Sequence, residues 1–267
     1  MTTLATRVLP GLPAGFGGGK LIMRNYLVYR RNWIVFATGF LEPVFYLFSI
    51  GIGVAALVDE FVMPNGQVVE YTAFVAPALL AASAMNGAIF DSTFNIFFRL
   101  KYIKLYDAML ATPLRPWDIA SGEIGWALIR GGIYSGAFLA VMTAMGLTGS
   151  WWAVLALPAT LLIGYAFAGV GMALTTFMRS WQDFEFVQLT ILPMFLFSAT
   201  FYPLHAYPAA LQWIVEITPL YRAVVLCREL VTGALTWGSV VSVAYLVAMG
   251  SAGLYLASRR LSRLLLT

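Results

Sequence analysis

The sequence predicts an all-α integral membrane protein, and three observations carry that prediction. Of its 267 residues, 61% are of the AVILMFWYC set and only 10% are charged, whereas a soluble domain spends about 25% on charge. The mean hydropathy is +0.83. The apolar stretches are also continuous rather than alternating in period two, which excludes a barrel and favours helices that satisfy their own backbone inside lipid. At roughly 20 residues per span, the length accommodates about six spans and leaves no room for a soluble catalytic domain.

Taken in order, residues 1–19 are rich in Gly, Pro and small side chains and read as a flexible cytoplasmic lead to a single transmembrane domain over 20–267. Residues 20–33 mix Leu21, Leu27 and Val28 with Arg24, Arg30 and Arg31, which suits either an amphipathic helix at the headgroups or a basic flank to the first span. Six spans are expected at about 33–58, 72–98, 124–147, 151–177, 186–201 and 237–258. Residues 99–123 form the longest connection on the cytoplasmic side, within which 106–111 read as a short helix and Thr112, Pro113, Arg115 and Pro116 turn the chain back. That arrangement leaves Leu105, Met109 and Leu110 as an apolar ridge for a soluble partner. The stretch 202–236 is apolar but interrupted by Pro203, Pro208 and Pro219, so two short re-entrant or interfacial helices are expected there. Trp151, Trp152, Phe201 and Trp213 fit an interfacial aromatic belt.

Charge sets the expected orientation. With the N-terminus inside, thirteen of the 16 Lys and Arg residues fall in cytoplasmic segments, and only Arg222 and Arg228 fall outside. Arg130 lies within the third span. Both termini are therefore expected in the cytoplasm, and the net charge of +4 reflects lipid flanks rather than a nucleic-acid partner. No secretory signal is expected, because the first apolar run is too long and lacks a cleavage site. A single cysteine, Cys227, and a single histidine, His205, cannot make a disulfide framework or a His/Cys metal site.

Ionisable residues inside spans need a partner or water. Glu42 precedes a kinking Pro43. Asp91 and Asn95 share a helix face, with Asn86 upstream, while Glu123 and Arg130 lie seven apart on one face of the third span. Arg130 has three candidate acids, namely Glu123, Glu42 and Asp91. The set reads either as a polar path for an amphiphilic substrate or as ion pairs that orient the bundle. In the fourth span Gly164, Ala168, Gly169, Gly171 and Ala173 allow close helix contact. GFGGGKL at 15–21 fails the GxxxxGK[ST] pattern, since Ala14 stands at the first glycine and Leu21 at the hydroxyl position. Neither GxSxG nor HExxH occurs.

The runs EPVFYLFSIGIGV (42–54), APALLAASAMNGAIFDSTFNIFFRLKYIKLYDAMLATPL (76–114) and PMFLFSATFYPLHAYPAALQWIVEITPLYRAV (193–224) resemble the ABC transporter type 2 permease family. The likeness extends over about 20–260 and is nearest to membrane subunits of nodulation-factor, polysaccharide and drug exporters. It implies a coupling helix at Tyr106, Asp107, Ala108, Leu110, Thr112, Pro113 and Leu114, which seats in a cleft of an ATPase subunit. It further implies an interfacial connecting helix at 20–33 and short extracytoplasmic helices at 203–218, where Tyr202, His205 and Tyr207 would stand at the exit. ATP and magnesium would bind a separate ATPase rather than this chain. Two ATPase copies and a second permease, identical or homologous, are implied, in a prokaryotic plasma membrane. Rival readings are an ion-coupled secondary transporter using Glu42 and Asp91, and a membrane-embedded transferase using Asp91, Glu123 or His205. The first lacks a visible internal repeat, and the second places its histidine across the membrane from Glu123.

Overall fold

The computed structural model describes residues 17–30, 41–55, 61–62 and 68–266. Helix α1 (Gly17–Arg30) is followed by α2 (Leu41–Tyr46), which runs through a π-helical turn, Leu47–Ile52, into α3 (Gly53–Ala55). The two-residue strands β1 (Phe61–Val62) and β2 (Val68–Val69) pair antiparallel, Phe61 opposite Val69. Beyond them the chain is helical. α4 (Tyr71–Phe90) continues through π-helical turns at Asp91–Asn95 and Phe98–Tyr102. α5 (Leu105–Leu110) and α6 (Pro116–Ala144) follow, and a 3-10 turn at Trp151–Leu155 leads into α7 (Ala156–Thr175). The remaining helices are α8 (Phe184–Leu196), α9 (Ala209–Ile217), α10 (Pro219–Thr232) and α11 (Trp237–Leu266).

Among the described residues, four helical runs are long and apolar enough to cross a membrane: Tyr71–Tyr102, Pro116–Ala144, Trp151–Thr175 and Trp237–Leu265. The pair α9 and α10, bent by 83° at Thr218, makes a fifth only if counted as one broken span. Six spans were expected. Much of the first, 33–58, lies outside the described residues, as does the lead over 1–16. The expected span at 186–201 is instead α8, whose 13 residues rise only about 20 Å against about 30 Å of hydrocarbon. Pro193 inside it lacks an N–H donor, and the chain then turns through Ala199 at φ +54. Two further expectations are revised. Gly17–Gly19 belong to a helix rather than to the lead, because glycine lets α1 lie directly on α6: a Cβ on Gly122 would come 2.8 Å from Leu21 Cβ and 2.9 Å from the Gly18 carbonyl oxygen. The 99–123 connection is shorter, since 99–102 extend α4 and 116–123 open α6.

α4 is the central element, burying Phe74, Val75, Leu80 and Met85 against its neighbours. α7 and α11 cross backbone to backbone, for a Cβ on Gly169 would come 2.6 Å from the Gly250 carbonyl oxygen and one on Gly253 would strike the Gly169 carbonyl carbon. This is the close approach that small residues permit between membrane helices. At the end opposite α5, α10 inserts Leu220, Val224, Cys227 and Arg228 into the bundle. Arg228 stacks 3.8 Å from the Phe74 ring centroid and donates to the carbonyls of Phe74 (3.3 Å) and Ala199 (2.9 Å). Gly233, at φ +80, closes α10 with its N–H on the Glu229 carbonyl.

Candidate functional site

Two polar rungs join α1, α4 and α6 on the side of the bundle that carries α5. In the rung nearer α5, Glu123 Oε2 accepts from Arg99 Nη1 and, at 3.2 Å, from Asn25 Nδ2. Glu123 and Asn25 are buried, at 4% and 0% exposure, so the carboxylate is held by charge and hydrogen bonding rather than by water. Tyr106 of α5 is 0% exposed and sits in this rung's electrostatic field. Its hydroxyl and Glu123 Oε1 are buried outside good hydrogen-bond geometry, yet the hydroxyl is close enough to the Glu123 carboxylate and the Arg99 guanidinium to interact with both. Burial above all, then the Glu123 charge, holds the Tyr106 phenol well above its ordinary range, although the Arg99 guanidinium opposes the shift.

In the second rung Asp91 Oδ1 accepts from Arg130 Nη1 at 2.6 Å and from Asn95 Nδ2 at 2.5 Å. Arg130 Nε donates to Tyr134 Oη at 2.9 Å, and the guanidinium lies 5.6 Å from the Tyr29 ring centroid. Asp91 begins the π-helical turn Asp91–Asn95, a widened backbone common at functional sites. The polarity alternates between rungs. α6 contributes the acid in one and the base in the other, and α4 answers with the opposite charge each time, so sliding one helix along the other would bring like charges together. α1 touches both rungs through Asn25 and Tyr29, four residues apart on one face.

The second rung faces a cleft of about 710 Å³ lined by Tyr46, Asn86, Asp91, Arg130, Tyr134, Trp181 and Gln188, with Pro43 and Phe195 among its apolar walls. Asn86, Asp91 and Arg130 thus meet at one cavity. Asn95 joins through its bond to Asp91, while the Glu42 side chain lies outside the described residues. Of Arg130's three candidate acids, Asp91 is the partner found. Three groups that the sequence did not mark as site residues belong here: Asn25, Arg99 and Tyr134. Arg99 reads in sequence as one more basic flank, and nothing in Asn25 distinguishes it from a surface residue.

α5 is entered through Lys104 at φ +49 and divides the expected coupling residues in two. Tyr106 is buried, while Leu110 and Leu114 pack against the core with Met109. Asp107, Ala108, Thr112 and Pro113 are exposed. The expected ridge of Leu105, Met109 and Leu110 is therefore not what this end offers outward, because the core takes Met109 and Leu110. The outward apolar groups are Tyr102, Ile103 and Trp117, at 62%, 64% and 50% exposure. At the opposite end Tyr202 and His205 are exposed. Tyr207 turns inward, its hydroxyl donating to the Leu196 carbonyl at 3.1 Å and its ring 4.8 Å from that of Tyr202. Burial, then Tyr202, raises the Tyr207 phenol.

Residues 19–232 match the family model described as ABC-2 type transporter. The chain belongs to the ABC-2 type transporter family. As a member, this permease is the multi-pass membrane subunit of an ABC transporter, a transport component rather than an enzyme, and such permeases associate with an ATP-binding subunit. It is 35% identical over 226 residues to "Nodulation protein J" of Rhizobium leguminosarum bv. viciae, covering 83% of this chain and 85% of that one. Identity to "Nodulation protein J" of Rhizobium leguminosarum bv. trifolii is 34% over 213 residues, 79% of each chain. For the protein of that name from Rhizobium meliloti (strain 1021) it is 31% over 227 residues, 84% of each.

Proposed function

We propose that this chain is the permease of an ATP-driven exporter that moves an amphiphile, such as a lipid-linked glycan, a lipo-oligosaccharide or a hydrophobic drug, across the bacterial plasma membrane. The observation that carries the reading is the buried rung at Tyr106. A helix that receives force must be fixed to what it moves, and α5 is held against the Phe98–Tyr102 turn and α11, with Leu110 and Leu114 on the core and Tyr106 buried beside the Arg99 and Glu123 pair that joins α4 to α6. Asp107, Ala108, Thr112 and Pro113 then face the ATPase, with Tyr102, Ile103 and Trp117 beside them as apolar anchors. The helical run that α4 begins, Tyr71–Tyr102, and α6 are 32 and 29 residues long, about 48 and 44 Å at helical rise, well beyond about 30 Å of hydrocarbon. Their excess length stands α5 off the membrane. α1, tied to both rungs, serves as the interfacial connecting helix.

In this reading ATP and magnesium belong to two ATPase subunits, and closure of the ATPases drives α5 and, through the rungs, parts this permease from a second one. The polar cleft forms the path for the substrate, and Tyr202 and His205 stand where it leaves. Both termini lie in the cytoplasm, and lipids are the other partners. Asp107→Lys or Pro113→Gly is expected to lower recovery of the ATP-binding subunit in a mild-detergent pull-down about tenfold, the effect of roughly 1.4 kcal/mol at an interface, with membrane insertion unchanged. Normal recovery and normal substrate-stimulated hydrolysis in both variants would remove α5 from the coupling path. Transport by the purified chain alone, driven by a proton or sodium gradient, would replace the exporter with a secondary transporter.

A further inference from the structure

α11 is longer than a bilayer requires. Its 30 residues rise about 45 Å against about 30 Å of hydrocarbon, so its last turns continue past the membrane at the end of the bundle that carries α5. Those turns are packed rather than free. Ala257 and Leu261 are fully buried and Leu265 packs against the core, and their spacing of four places all three on one helix face. α11 meets α5 and α6 as well as α7, and the three side chains join the same core as Tyr106 and Ile119.

A second contact leaves the same turns in another direction. Arg260, the neighbour of Leu261, sets its guanidinium 3.7 Å from the Phe177 ring centroid, about two turns past the glycine crossing of α7 and α11. Its Nε is buried and makes no hydrogen bond, which leaves the ring face to offset the water that this nitrogen has lost. Phe177 opens the connection from α7 to α8. Further along it, in the 3-10 turn Trp181–Asp183, Trp181 stands 5.2 and 5.3 Å from the rings of Phe94 and Phe98, and Phe184 stands 5.2 Å from Phe97. The connection is therefore gripped at both ends, by α11 at Phe177 and by the helical run of α4 at Trp181, whereas α8 beyond it buries no side chain fully. Whatever moves the connection moves the start of α8.

We infer that the last turns of α11 are a second coupling element, in which Leu261 takes up the motion of α5 and Arg260 passes it through Phe177 to the start of α8. The inference rests on the exporter reading. It adds to the rungs, which join α1, α4 and α6, a separate route from α5 to the connection between α7 and α8. Transfer of this kind needs packed surfaces that shift together, and the glycine crossing gives α11 that stiffness. Leu261 and Arg260 are positioning residues in this scheme, acting on α8 through the groups they hold.

The test uses the complex of this chain with its ATP-binding subunit in lipid nanodiscs, spin-labelled at Gln182→Cys. Gln182 is exposed beside Trp181, and the native Cys227 is fully buried. ATP with vanadate is expected to change the mobility of the label in the parent. Arg260→Gln and Phe177→Leu are each expected to cut that change about fivefold, with the double variant no worse than either alone. Arg260→Lys, which keeps a cation on the ring, should restore most of the response, and all four variants should recover the ATP-binding subunit as the parent does. An unaltered response in Arg260→Gln and Phe177→Leu, additive losses in the double variant, or a parent that holds the subunit yet shows no change at the label would overturn the inference. Failure of Arg260→Gln to recover the subunit would overturn it too, because the end of α11 would then serve docking rather than transmission. A parent that recovers no ATP-binding subunit would defeat the exporter reading and the inference with it, so the pull-down separates the two failures.

Discussion

Glu123 and Tyr106 make opposite demands on the same rung. Removing the carboxylate leaves Arg99 charged and nearly buried, its side chain 12% exposed, so Glu123→Ala is expected to cost about 3–5 kcal/mol, the usual penalty for breaking a buried pair. Tyr106→Phe removes a buried hydroxyl that stands beside Glu123 and Arg99 outside good hydrogen-bond geometry, and its stability is expected to stay within about 1 kcal/mol of the parent. Thermal unfolding of both variants in one detergent checks the contrast, and a Tyr106→Phe variant as unstable as Glu123→Ala would mean that the hydroxyl is bonded. Parts of this site are legible in sequence. The spacing of Asp91 and Asn95 places them together, as their hydrogen bond requires. The partner of Arg130 is not legible, because three acids lie within reach and only the register of α4 against α6 selects among them. Arg99 is hidden for a related reason: a cation at a span end looks the same whether it meets lipid or a buried acid.

At the scale of elements, the glycine crossing of α7 and α11 admits a direct test. Gly253→Leu sets a branched side chain against the Gly169 backbone, where no flexible neighbour can yield, and is expected to destabilise the protein by about 1–3 kcal/mol. Gly19→Leu, at a position with open space around its Cβ, should be silent in the same unfolding assay; equal losses for the two would show that α7 and α11 do not meet at these glycines. The small residues of α7 mark it in sequence as a helix of close contacts, but their partner does not show there, because shape complementarity is a property of two surfaces. The ridge on α5 misled for a different reason. Apolar residues on a short amphipathic helix face whatever is driest, and the nearby core is drier than a docking surface. In α8 the apolar run is present but stops short: Pro193 and the turn at Ala199 limit its length, which a hydropathy count ignores.

For the whole molecule, the all-helical membrane fold is legible because composition alone demands it, whereas the number of crossings is not. Helix ends depend on backbone turns, and apolar residues occur in crossing and non-crossing segments alike. Orientation admits a direct test. With both termini inside, Lys101→Cys is expected to react with a membrane-impermeant maleimide only after the membrane is breached, and Thr236→Cys in intact cells. Both parent positions are exposed, and the native Cys227 is fully buried. The reverse pattern would invert the protein and place α5 outside, away from any source of ATP.

The backbone contact between α7 and α11 also decides where deformation can occur. Two rods that touch along their axes behave as one stiff beam, whereas α8 is held by no fully buried side chain and behaves as a soft spring beside it. A load that passes through α8 is therefore expected to tilt that 13-residue helix before it bends the pair of α7 and α11.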